Sequence, residues 1–159
     1  MKFSKAKNVV RLAAISLFAA SAAHALDLEK LKAKALPEPQ SYEQAEMCAS
    51  TFLLEAYLLK DDNSIPDHEA QSAKFKSGAQ LWITMAYKKY IADGGSSSDT
   101  NEYVKTVLLP DVHLMHQLDF DTFTYYGNYC TLETDKLAAD DKARAQKLLD
   151  SLPRSDKSN

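Results

Sequence analysis

Residues 41–60 read SYEQAEMCASTFLLEAYLLK, and this stretch decides the fold class. Ser41 with Gln44 three residues on has the spacing of a capping box, in which each side chain satisfies a backbone N–H left open at a helix start. Ala45, Cys48, Ala49, Phe52, Ala56 and Leu59 then recur in the i, i+3, i+4, i+7 rhythm of a helix with one buried stripe. Asp61-Asp62-Asn63-Ser64 is turn chemistry and ends the helix near Lys60.

The downstream chain repeats this pattern. Ser64 with Asp67 forms a second capping box, Pro66 suits a first helical turn, and together they predict a helix over about 66–92. Its apolar face is Phe75, Ala79, Trp82, Met85 and Ala86, with Trp82 read as core. Gly78 inside it costs about 1 kcal/mol relative to Ala and fits best where a neighbouring helix packs closely. Gly94-Gly95 ends this helix, and the serines at 96–98 form an exposed loop. Asp99 with Glu102 caps a third helix faced by Tyr103, Val104, Val107 and Leu108, and Pro110 predicts a kink or break at Leu109. Val112, Met115 and Leu118 continue the stripe. A fourth helix starts near Asp119 or Asp121, with Phe123, Tyr126, Cys130 and Leu137 on one face. A last polar segment, about 139–152, carries Ala145, Leu148, Leu149 and Leu152 as an apolar edge before Pro153. Glycine and proline together make only 9 of 159 residues, too few turn formers for an all-β sandwich. The expectation is an all-α protein: a compact bundle of four to five helices over 41–152, an N-terminal arm over 26–40 and a polar tail over 153–159.

Residues 1–25 have the layout of a secretory leader. Lys2, Lys5, Lys7 and Arg11 form a positive start, Leu12 to Ala23 an apolar run, and Ala23-His24-Ala25 a small-x-small cleavage site. The run is too short to span a bilayer, so the mature chain is expected to begin at Leu26, exported to the periplasm and free of the membrane. Losing the leader takes four of 19 basic residues and none of 22 acidic ones, which moves the net charge from −3 to −7. An acidic chain lacks the basic footprint of a nucleic-acid binder. Two cysteines, Cys48 and Cys130, leave one intramolecular pairing, and an oxidising compartment favours it. A reactive or metal-binding thiol pair is the competing reading, without a Cys-x-x-Cys to support it.

No G-x-S-x-G, H-E-x-x-H, phosphate loop or dinucleotide fingerprint occurs, so neither an enzyme nor a cofactor is expected. His113, His116 and Asp119 at three-residue spacing are the one candidate metal set, with Met115 nearby; the plainer reading is a solvated helix face with Asp119 as a cap. The aromatic run Phe120, Phe123, Tyr125, Tyr126 and Tyr129 cannot all fit one stripe, so some of it must face outward or meet a partner: Phe123 and Tyr126 read as core, Tyr125 and Tyr129 as the partner-surface candidates. Two acidic loops could enter a partner's cleft: Asp61 and Asp62 in the first, Asp93, Gly94, Gly95, Ser96 and Asp99 in the second, with Tyr87 and Tyr90 as flanking anchors. As local chemistry, helix punctuation accounts for both loops.

Met47-Cys48-Ala49, Ala56-Tyr57 two turns later, the Asp61-Asp62-Asn63 stretch, the Ala79 and Trp82 helix, and the aromatic run ending in Tyr129-Cys130 give a layout over 41–137. It resembles the immunity proteins that protect bacteria against type VI secretion amidase effectors. The resemblance implies a periplasmic homodimer that inserts a helix edge or loop into the groove of a cysteine-peptidase-like peptidoglycan amidase. Inhibition of that kind needs complementarity and no catalytic residue. The alternatives are a periplasmic stress chaperone and a metal-binding protein built on the two histidines.

Overall fold

A computed structural model describes residues 26–151, and side chains through 147. The leader at 1–25, the tail at 153–159, and the side chains of Leu148, Leu149 and Leu152 lie outside the described residues. The helices are α1 (Leu28–Lys32), α2 (Tyr42–Lys60), α3 (His68–Ala92), α4 (Thr100–Tyr103), a π-helical turn (Val104–Leu108), α5 (Leu109–Met115) and α6 (Phe120–Ser151). No strand occurs among the described residues, and the fold is all-α.

Helix α2 forms because Ser41 Oγ accepts from Gln44 N–H at 3.0 Å, while Gln44 Oε1 accepts from Gln40 N–H at 2.5 Å. The loop after it turns the chain back, and α3 packs antiparallel along α2. Tyr42 meets Tyr90 at one end, with ring centroids 6.2 Å apart, and Ser72 Oγ donates to the Ala56 carbonyl at 2.8 Å at the other. Between them Phe52 lies against Gly78; a Cβ there would sit 2.7 Å from the ring, which is the close approach expected of this glycine. Helix α6 crosses the other side of α2, antiparallel to it. Cys48 and Cys130 are joined, with Cα atoms 5.3 Å apart. Trp82, fully buried, donates from Nε1 to Thr134 Oγ1 at 2.8 Å and so ties α3 to α6.

The expected single stripe on α2 is too narrow. Every residue from Gln44 to Phe52 is buried, because α3, α5 and α6 pack around it and leave no solvated face. The segment 26–40 holds α1, capped by the Asp27 carboxylate, with Leu31 in the core. Tyr126 Oη donates to the Leu31 and Ala35 carbonyls at 3.0 and 3.2 Å, which docks this segment on α6.

Three local expectations change. Ser64 and Asp67 make no capping box: Ser64 binds Asp62 Oδ1 through N–H and Oγ, at 3.0 and 2.5 Å. Asp67 takes a left-handed backbone, φ 56°, and its side chain makes no cap hydrogen bond, so α3 opens at His68. Around Pro110 the chain stays helical with no break, and the ladder changes register at Leu109. The π turn before it closes by Leu109 N–H donating to the Val104 carbonyl, and Pro110 falls in the first turn of α5, where a missing N–H costs little. Finally, the polar segment at 139–152 is no separate unit. It continues α6, one helix of 32 residues capped by Asp119 Oδ1 on Thr122 N–H at 2.9 Å. From 138 to 147 every residue of this helix is exposed.

Candidate functional site

The loop of 93–99 begins in a helix stop. Gly95 N–H donates to the Tyr90 carbonyl and Gly94 N–H to that of Ile91, with Gly94 at φ 89°, the paired bonds of a Schellman cap. Asp93, Gly94, Ser96 and Asp99 are exposed, as expected of a protruding loop. Its presumed anchors are not free to reach out. Tyr87 and Tyr90 pack on the buried Tyr103 ring at 5.7 and 5.2 Å, Tyr90 Oη accepts from Ser96 N–H at 3.3 Å, and Gly95 is small because the Tyr90 ring lies against it. These tyrosines hold the loop's stem. Asp99 caps α4 through Glu102 N–H at 2.9 Å, and Glu102 Oε2 accepts from Ser98 N–H. In the other acidic loop Asp61 is exposed, while hydrogen bonds from Ser64 hold the Asp62 carboxyl below its usual range.

His113, His116 and Asp119 are all exposed. The Asp119 carboxylate is spent on Thr122, at 2.9 Å to N–H and 2.8 Å to Oγ1, which hold it below the usual carboxylate range. Among the described residues no three His, Cys, Asp or Glu side chains gather as a metal site.

Of the aromatic run, Tyr126 is fully buried, Phe123, Tyr125 and Tyr129 are half-buried, and Phe120 is 81% exposed. Phe120 stands at the rim of a groove of about 360 Å³ between α2, α3 and α6, lined also by Leu58, Leu59, Phe75, Phe123 and Glu55. Leu58 is a second exposed apolar side chain on this rim. Glu55 lies on the groove's inner side, where Gly127 leaves room: a Cβ at 127 would sit 2.5 Å from Glu55 Oε1. Burial pushes the Glu55 carboxyl up to about 7, and its Oε2 has no hydrogen-bond partner. The side chain is therefore near half-protonated at neutral pH and can both donate and accept. Sequence reading chose Tyr125 and Tyr129 as the outward rings of this run, but Tyr125 packs on Tyr126 and Tyr129 accepts from Gln44 Nε2 at 2.7 Å, and Phe120 is the ring left in water; Glu55 gave no signal, since a lone Glu near a helix end reads as solvated.

A scan of family models, a search of curated proteins and a search of solved structures each found no match.

A second set of polar groups is sealed inside. Tyr42 Oη donates to Glu46 Oε1 at 2.6 Å and lies 3.4 Å from Tyr103 Oη. Glu46 and Asp111 are both completely buried, and Asp111 Oδ1 accepts from Leu26 N–H at 3.0 Å. Burial, and then the neighbouring Asp111 carboxyl, raise Glu46 well above the carboxylate range; burial also raises Asp111. Glu46 Oε2 and Asp111 Oδ2 have no donor. A proton on Glu46 that points at Asp111 satisfies both, and leaves one negative charge on Asp111. Glu46 escaped the sequence reading because a charged residue beside a buried stripe is ordinarily on the wet side of the helix.

Proposed function

We propose that this protein is an exported inhibitor that binds a cysteine-peptidase-type peptidoglycan amidase and blocks its substrate groove, working as a periplasmic homodimer. One observation carries the binding role: Phe120, 81% exposed, at the rim of an apolar groove with Leu58 and a half-protonated Glu55. Leaving a large aromatic in water is unfavourable, and aromatic side chains are enriched among interface residues that carry binding energy. The sequence layout over 41–137 supplies the partner class. The Phe120 groove is thus the principal contact, and the loops at 61–67 and 93–101 are lesser ones.

The chaperone reading needs a chain that loses structure in acid or heat. Glu46 and Glu55 each hold their proton more tightly folded than unfolded. Their linkage favours the folded state as pH falls through their folded-state values, which runs against acid-triggered unfolding.

The test is titration of the mature protein into a peptidoglycan amidase encoded in the neighbouring reading frame, with release of stem peptide as readout. Stoichiometric inhibition is the expected result. No inhibition, together with protection of unrelated aggregating clients, would replace this reading with the chaperone.

A further inference from the structure

The chain Tyr103–Tyr42–Glu46–Asp111 ends at a backbone nitrogen, and that nitrogen belongs to Leu26. Asp111 is completely buried, and among the described residues no lysine or arginine pairs with it or with Glu46. A buried charge without a partner is among the costliest features a fold can carry. The position of Leu26 is fixed on both sides. Its side chain packs on the core, Asp27 next to it caps α1, and Leu31 one turn on is buried. The nitrogen that this frame delivers to Asp111 is the one that the leader pattern, ending Ala23-His24-Ala25, makes the first of the mature chain.

We infer that removal of residues 1–25 turns the Leu26 nitrogen into the counter-charge of the buried Asp111 carboxylate, so that leader cleavage completes the core of the folded protein. Hydrolysis of the Ala25–Leu26 bond puts the hydroxyl of water on the Ala25 carbonyl and its proton on the Leu26 nitrogen. An α-amine titrates at about 7.7–8.0, so at neutral pH it takes a second proton from solvent and becomes an ammonium. Three N–H bonds result, and the one that meets Asp111 Oδ1, at 3.0 Å, then belongs to a charged group. Before cleavage the same nitrogen offers one neutral N–H. The inference concerns folding and maturation, and stands whether or not the protein inhibits an amidase.

The experiment compares four purified chains: one starting at Leu26, one that retains Ala25, and each of these also carrying Asp111→Asn. Retaining Ala25 keeps the Leu26 N–H but removes its charge. Urea unfolding at pH 7 should show the folding equilibrium constant at least tenfold larger for the Leu26 start, and less than twofold different in the Asp111→Asn background. Equal stability of the two starts, or an equal penalty in both backgrounds, overturns the inference. Acetylation of the α-amine by an N-hydroxysuccinimide ester, read by mass spectrometry, needs no variant. The Leu26 amine should react at least tenfold more slowly in the folded protein than in urea, and an unprotected amine overturns the ion pair even if Asp111→Asn fails to fold. Amino-terminal sequencing of exported protein should begin at Leu26; another start overturns the maturation step.

Discussion

Glu55→Gln should remove part of the protein's pH dependence. Folded, the carboxyl sits at about 7 because burial beside Gly127 and Phe123 disfavours its charge; its ordinary value is 4.5. Between those values the folded chain holds a proton that the unfolded chain has released, so this group's contribution to stability falls as pH rises through the window. The full difference corresponds to about 3 kcal/mol, at 1.36 kcal/mol per unit. Groove water screens part of it, so about 1–3 kcal/mol is the expected range. Glutamine has nearly the same shape and never ionises. At pH 4.5 the two proteins should unfold at similar urea concentrations, and by pH 8.5 the variant should be the more stable. With a urea slope of about 1–3 kcal/mol/M, the midpoint gap at pH 8.5 is on the order of 1 M. Taking the difference between the two proteins cancels the titration of Glu46 and Asp111. A gap that is constant from pH 4.5 to 8.5 would refute the reasoning, because it would mean Glu55 is solvated in the folded state.

Other perturbations have equally definite outcomes. Cys48→Ser opens a crosslink spanning 82 residues and should cost about 4–5 kcal/mol in the chain-entropy account, seen as a lower denaturation midpoint with far-ultraviolet helicity kept in cold buffer. Gly78→Ala drives a methyl toward the Phe52 ring, 2.7 Å away, and should cost about 1–3 kcal/mol by calorimetry. Tyr90→Ala removes a ring that packs on Tyr42 and Tyr103 and holds Ser96, so it should lower the melting temperature before it alters any partner affinity.

What could be read from the sequence was whatever a short stretch of chain decides for itself. Ser41 with Gln44 and Asp99 with Glu102 cap their helices as their spacing says, because a cap is a contact over three residues. The Cys48–Cys130 pairing followed from counting. Competition between neighbours was not legible. Ser64 could bond to Asp62 or cap with Asp67, and the turn took it first. Pro110 could break a helix or ride on a widened turn, and packing of Tyr103 and Leu108 in the core keeps the helical path continuous. The two most informative acids were the least visible. Glu46 is dry because α3, α5 and α6 pack around α2, and Glu55 is partly dry because Gly127, 72 residues away, has no side chain. Neither fact has a local signature. For the candidate surface, the run at 120–129 announced that some aromatic faces out, but only packing shows that it is Phe120.

The most direct test of the proposed role is inhibition of the partner amidase by three forms of the mature protein: wild type, Phe120→Arg, and a form with 94–98 replaced by a short linker. Phe120 is exposed and its replacement leaves the core untouched, so all three should fold with the same helicity. The account predicts that Phe120→Arg raises the inhibition constant at least 30-fold, equivalent to about 2 kcal/mol for a central interface anchor, and that the loop replacement changes it less than fivefold. Full inhibition by Phe120→Arg with loss in the loop replacement would contradict the account and move the working surface to the 93–101 loop.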